Sequence, residues 1–319
     1  MLKRINLHKV AAMASFLSDF RFWLSLLLLI SCNCMPEISL AQSLRERLQQ
    51  RRQHSHEASA QTTSAQVQEL AYGPDARQKL DIYRPLASTA QIAPVIVMVH
   101  GGGWRIGDKR HAAVVENKLR HWRPQGVMLV SLNYRMLPEA KPDQQVADIA
   151  LALAWLQREL PALGGDPNRL LLMGHSAGAH LISLLSASSA LQQQYQLRNW
   201  RLSIALDSAA YDVTAIMQRR HPALYDDAFG TQLSYWQAMS PLQQLQHAMP
   251  PFIAVCSSQR RDGACQQAQA FVDKARQLGG KAETLPVNLS HGEINQELGS
   301  PGAYTQALDA LLNQLIGAL

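Results

Sequence analysis

The 319-residue sequence has only four cysteines, no internal repeat, no apolar run long enough to span a bilayer and almost no net charge beyond its first 56 residues. Each absence narrows the reading. The formal charge is +6, but residues 1–41 hold four basic and two acidic side chains, and residues 42–56 hold four arginines against Glu46, so these segments carry five of the six charges. The remainder is close to neutral. It lacks the basic face that a nucleic-acid-binding domain requires, so no nucleic-acid partner is expected. The arginine-rich stretch at 45–52 reads as a solvated charge run. The apolar run Phe22 to Ile30 is too short to cross a bilayer as a mature helix. No G-x-x-x-x-G-K-[ST] pattern accompanies Gly101 to Gly103, which argues against a phosphate cradle. His54 and His56 lie in a polar stretch and make no metal site; no metal or organic cofactor is implied.

Composition otherwise fits a globular protein with an ample core: 47% of residues are hydrophobic. Residues 1–41 read as a leader, with Lys3, Arg4, Lys9 and Arg21 ahead of the apolar run. Two processing sites compete. Ser39-Leu40-Ala41 before Gln42 has the small–x–small form of a signal-peptidase site, whereas Leu29-Ile30-Ser31-Cys32 resembles a lipobox in which Cys32 would be lipidated. Both predict export, to the periplasm or beyond, and only the second brings the chain to a membrane. Residues 42–66, rich in Gln, Ser, Arg, Ala and His, read as a flexible linker. The domain is expected over 67–319. Apolar strand runs at 67–72, 79–83, 95–99, 127–134, 170–173, 202–206, 252–256 and 282–287 alternate with helical patterns. The expected fold is α/β, a mostly parallel sheet with helices on both faces. The irregular, aromatic- and proline-containing stretch at about 211–249 is expected to form a small helical cap.

One stretch organises the chain. Leu170 to Met173 is a buried strand run, and Gly174-His175-Ser176-Ala177-Gly178 follows it at the start of a helix. A tight strand-to-helix turn would lift Ser176 Oγ above the sheet, and a Cβ at either glycine would collide with neighbouring backbone. An acyl-transfer serine needs a base, an acid and donors for an oxyanion. His291, just past the last strand, is the candidate base. Asp262, after the 252–256 strand, is the favoured acid, with Asp207, at the end of the preceding strand, as its rival; Asp207 otherwise reads as a carboxylate capping a turn. Cys256 and Cys265 bracket Asp262, and an exported chain would allow a disulfide there that fixes the loop. The oxyanion donors are expected from the backbone N–H groups of Gly102, Gly103 and Ala177. His100 is read as holding the shape of that glycine loop. Trp104, Tyr211, Tyr225, Phe229 and Trp236 line a pocket or pack the cap; sequence does not separate the two.

Together, Leu80-Asp81-Ile82-Tyr83-Arg84-Pro85, His100-Gly101-Gly102-Gly103-Trp104, Asn133-Tyr134-Arg135, Gly165-Asp166-Pro167-Asn168-Arg169, the Ser176 pentapeptide and Ser290-His291-Gly292 resemble the α/β-hydrolase superfamily. The similarity is to the branch of hormone-sensitive-lipase-type esterases, feruloyl esterases and kynurenine formamidases, and it covers residues 67–319. It implies a serine hydrolase of carboxylic esters, with a small-molecule ester as substrate. Amide hydrolysis of the arylformamidase type is the runner-up, acyl transfer uses the same intermediate, and a non-catalytic binding protein on the same fold is the alternative from another class. Two departures stand out. His175 replaces the aspartate that many hormone-sensitive-lipase-type members carry before the serine, as it does in formamidase-like members. The loop Ser257 to Asp262 is longer than the usual Gly-x-x-Asp. Acyl and alcohol specificity and oligomeric state carry no readable code.

Overall fold

The computed structural model describes residues 67–86 and 92–317. The leader, the linker and both processing sites, Cys32 included, lie outside the described residues. In chain order the elements are β1 (Val67–Ala71), β2 (Lys79–Tyr83), β3 (Ala93–Val99), α1 (Ala112–Trp122), β4 (Met128–Leu132), α2 (Pro142–Leu163), β5 (Gly165–His175), α3 (Ala177–Ala187), α4 (Ser189–Gln194) and β6 (Leu202–Leu206). There follow α5 (Val213–Met217), α6 (Ala223–Phe229), α7 (Leu233–Ala238), α8 (Pro241–Gln244), β7 (Phe252–Ser257), α9 (Ala264–Gln277), β8 (Ala282–Val287), α10 (His291–Glu297) and α11 (Ala303–Ile316).

The strands form one eight-stranded sheet in the order β1-β2-β4-β3-β5-β6-β7-β8. β2 is antiparallel to both β1 and β4, and every other pairing is parallel. The continuous apolar runs are explained by burial on both faces. Along β3, Val95, Val97 and Val99 join the cluster containing Leu153 and Leu181 of α2 and α3. Ile96 and Met98 join the opposite one, with Leu119 of α1 and Leu308 of α11. The two-residue period of the strand thus divides one apolar sequence between two cores. β5 starts earlier than its apolar run suggests. Gly165 pairs with Ala93, and the register then shifts so that Leu170 meets Val95, which absorbs the expected turn into an irregular strand start. Between β6 and β7 the chain forms four short helices, α5 to α8.

Parallel strands bring their carboxyl ends to one edge of the sheet, and ligand sites of open α/β sheets lie there. α10 is held at that edge by a buried lysine. Lys118 of α1 is fully buried and donates to the carbonyls of Ala113 (3.1 Å) and Asn295 (2.6 Å) and to Asn295 Oδ1 (3.1 Å). Burial pushes its ammonium down to about 7. Between that value and the ordinary lysine range, the unfolded chain holds a proton that the folded chain has released, so stability must rise with pH across this window. The expected contribution is about 1.4 kcal/mol per pH unit. It is measured as the difference in urea-unfolding free energy between the wild type and Lys118→Met from pH 7 to 9. Equal slopes in the two proteins would contradict it.

Candidate active site

Ser176 occupies the turn between β5 and α3 with φ 56° and ψ −118°, a strained conformation for a residue bearing a Cβ. The glycines around it leave no space for anything else. A Cβ on Gly174 would lie 2.6 Å from Gly178 O, and one on Gly178 would lie 2.4 Å from Val99 O. The Ser176 N–H donates to Leu206 O at 2.9 Å, which ties the turn to β6.

His291 is the first residue of α10. Its place is set by a capping box: Ser290 N–H donates to Glu293 Oε2 (2.8 Å), and Glu293 N–H donates to Ser290 Oγ (3.4 Å). His291 Nε2 lies 2.9 Å from Ser176 Oγ, and Nδ1 lies 2.6 Å from Asp207 Oδ2. Asp207 is fully buried at the end of β6, with φ 57°. Its Oδ1 accepts the Ser257 N–H at 2.8 Å, and Arg260 Nη1 donates to Oδ2 at 2.8 Å. Burial alone would raise this carboxyl. The hydrogen bond from His291, the Arg260 cation and the Ser257 N–H outweigh it and hold Asp207 below the ordinary aspartate value.

The expectation for the acid is corrected here. Asp262 is exposed and meets both Nε (3.0 Å) and Nη2 of Arg260, with no contact to His291. Arg260, two residues earlier, takes up that carboxylate, while the end of β6 brings Asp207 directly to the imidazole. Cys256 and Cys265 do form a disulfide, with Cα atoms 5.2 Å apart. The bridge closes the loop that presents Arg260 to Asp207. Arg260, whose Nη1 is also 3.1 Å from His291 Nδ1, has no separate signal in the sequence.

In the glycine loop, Gly102 has φ 118° and Gly103 φ 59°. The N–H groups of Arg105 and Ile106 both donate to Gly102 O, at 3.1 and 3.0 Å, closing a tight turn. Among the described residues, the N–H groups of Gly102, Gly103 and Ala177 donate to no protein acceptor. Ala177 is the first residue of α3, where backbone donors have no partner within the helix. The loop lies against the serine at Gly101, where a Cβ would be 2.9 Å from Ser176 Cβ.

Three histidines brace these parts, His100 and His180 buried and His175 half-buried. His100 Nδ1–H donates to Gly101 O (2.7 Å), its ring stacks on Tyr134 (4.6 Å), and burial pushes it down to about 4. His175 Nε2–H donates to His291 O (2.9 Å) beneath the His291 ring. Burial, then the neighbouring His291, push it down to about 3, so it is neutral at pH 7. The histidine that replaces the more usual aspartate is therefore a clamp on the His291 backbone. His180 accepts from Trp104 Nε1–H (3.2 Å) and donates through Nε2–H to Met239 O (2.8 Å), with burial pushing it to about 4. Trp104, Tyr225 and Phe229 pack together beside it, whereas Tyr211 stacks on Phe271 and Trp236 donates to Gly230 O.

The BD-FAE family model matches residues 80–274, more than half of the chain. The chain belongs to the BD-FAE family. Among curated proteins, this BD-FAE member is 26% identical to the isoprenylcysteine alpha-carbonyl methylesterase ICME of Arabidopsis thaliana over 267 residues, 78% of this chain and 61% of that protein. It is 29% identical to the probable carboxylic ester hydrolase LipM of Mycobacterium tuberculosis over 225 residues, 66% of this chain and 52% of that protein. The chain thus spans between half and two-thirds of the length of these relatives. Among solved structures, esterase 2 of Thermogutta terrifontis superposes with a TM-score of 0.63 at 22% identity, covering 78% of this chain and 92% of that one. Esterase B of Lactobacillus rhamnosis gives 0.61 at 20% identity, covering 85% and 93%. At such identities the likeness establishes the fold, the α/β-hydrolase fold expected from the sequence.

Proposed function

We propose that this BD-FAE member is an exported serine hydrolase that cleaves carboxylic esters through an acyl-enzyme. The observation that carries the reading is the unbroken hydrogen-bonded series from Ser176 Oγ through His291 to buried Asp207. Curated relatives named as esterases and ester hydrolases support the same chemistry. His291 Nε2 takes the Ser176 proton as Oγ attacks the substrate carbonyl carbon, while Asp207 stabilises the imidazolium through Nδ1–H. The carbonyl oxygen, now an oxyanion, accepts from the N–H groups of Gly102, Gly103 and Ala177. The imidazolium proton goes to the departing alkoxide, which leaves as the alcohol. Water, deprotonated by His291, then attacks the acyl-Ser176 ester and releases the acid. Export is supported by the form of the leader and by a disulfide that suits an oxidising compartment.

A fluorophosphonate probe followed by peptide mass spectrometry should give one adduct, on Ser176, and the purified protein should hydrolyse p-nitrophenyl butyrate. Ser176→Ala should remove the adduct and lower kcat by at least ~10⁴-fold. A folded protein that takes up no probe and turns over no ester would favour the binding-protein alternative.

A further inference from the structure

Asp207 serves two donors with one oxygen. Its Oδ2 accepts from His291 Nδ1 at 2.6 Å and from Arg260 Nη1 at 2.8 Å, while Oδ1 is taken by the Ser257 N–H. The same Nη1 donates to the Asp207 backbone carbonyl at 3.1 Å. One guanidinium nitrogen thus holds this residue at carboxylate and carbonyl, at a position whose φ is 57°. Nη1 also comes within 3.1 Å of His291 Nδ1. When His291 acts as a base, its Nδ1 proton is donated to Oδ2, so this approach is no hydrogen bond: two N–H groups converge on one oxygen. Beside a neutral imidazole the guanidinium costs little. Beside an imidazolium it is a like charge in contact, which disfavours the protonated form.

Arg260 is a cation throughout. Burial alone would lower its guanidinium, but Asp262 and Asp207 outweigh burial and hold it above the ordinary arginine value. Its side chain is 19% exposed, so solvent screens the contact only weakly. The other groups around His291 act differently. His175, with its ring 4.7 Å away, is neutral, as are Tyr225 of α6 and Tyr304 of α11, which burial holds above the ordinary tyrosine value. Glu293 caps its own helix on the Ser290 N–H, and Lys118 reaches α10 further along, at Asn295. Asp262 lies beyond Arg260 and offsets part of its charge, and Arg219 is turned to the Asp262 carbonyl. Resting on the ester-hydrolase reading, we propose that Arg260 is a positioning residue that disfavours the His291 imidazolium, keeping His291 a free base in more acidic solution than the Asp207–His291 pair alone would allow.

The test is the pH profile of kcat/KM for p-nitrophenyl butyrate, measured from about pH 5 to 9 in the wild type, Arg260→Gln and Arg260→Lys. Glutamine can still donate a hydrogen bond but carries no charge, so the acid limb should move up by about one pH unit. Lysine restores the charge without the fork, and its limb should return to within about 0.3 pH units of the wild type. Slower turnover with an unmoved limb would make Arg260 merely structural and overturn the proposal. So would a limb that moves down, or a lysine variant that behaves like the glutamine one. A proton NMR titration of the histidine Cε1–H signals reads the same quantity without turnover, in Ser176→Ala with and without Arg260→Gln. The His291 signal is assigned by its absence from His291→Asn. Its midpoint should lie about one pH unit higher once the arginine is gone. Lys118, pushed down to about 7, is common to both proteins and leaves that difference untouched. If no ester is turned over, the hydrolase reading fails and this midpoint alone decides the role of Arg260; an unchanged midpoint overturns it.

Discussion

Asp207→Asn is expected to lower kcat for p-nitrophenyl butyrate by about 10⁴-fold with little change in KM, whereas Asp262→Asn should stay within about threefold of wild type. Asp207 Oδ2 meets His291 Nδ1 at 2.6 Å, so the carboxylate both fixes the imidazole tautomer and stabilises the cation that forms when Ser176 gives up its proton. An asparagine keeps the shape and can still accept the Ser257 N–H, but it offers the imidazole no charge and can present an N–H where an acceptor is required. Asp262 faces only Arg260, on the exposed side of the loop, so its removal leaves the Asp207–His291 contact in place. Circular dichroism would confirm that both variants are folded. The reverse order of effects would return the acid to the loop after β7.

Gly102→Ala is expected to reduce kcat by about 10²–10³-fold, the cost of losing an oxyanion donor, while Gly103→Ala should cost no more than about tenfold. Both residues have positive φ, so both substitutions strain the backbone by about 1–2 kcal/mol. Only Gly102 also lacks room: a Cβ there would lie 1.8 Å from Ile106 O, whereas at Gly103 it meets nothing within 4 Å. The Gly102 clash is with backbone inside a turn closed by the Arg105 and Ile106 N–H groups, so relief requires opening the turn that orients the donors. Steady-state kinetics on purified, folded variants would check the pair. Wild-type kcat in Gly102→Ala would mean that this loop does not hold the oxyanion.

The parts of the site that were legible in the sequence are those built from local steric necessity. Gly174 and Gly178 flank Ser176 because backbone carbonyls occupy the places where their side chains would go, that of Gly178 itself for Gly174 and those of Val99 and His100 for Gly178. The partner of Ser176 was legible because His291 stands at the start of a helix just past the last strand, and Ser290 and Glu293 cap that helix. The acid was not. Asp207 and Asp262 both follow neighbouring parallel strands, and the choice depends on how a loop turns in space. Asp207 is one residue beyond β6, whereas Asp262 is five beyond β7 in a segment whose path is set by the Cys256–Cys265 bridge and by Arg260. Sequence separation does not encode such a path. The fold was legible because strands buried on both faces leave long apolar runs. The individual helices between β6 and β7 were not legible because α5 to α8 are four to seven residues long, too short to show a helical period.

His180 has a mechanical consequence. Each ring nitrogen is committed, Nδ1 to the indole that follows the oxyanion glycines and Nε2 to the Met239 carbonyl at the end of α7. The imidazole is buried and neutral, so neither bond can be exchanged for one to water without opening the interior. It acts as a rivet between the end of α7 and the segment that follows the glycine loop. Any movement that lifts the Met239 segment must either shear one of these bonds or draw Trp104 with it, so displacing that segment and disturbing the end of the Gly101–Gly103 loop are one motion.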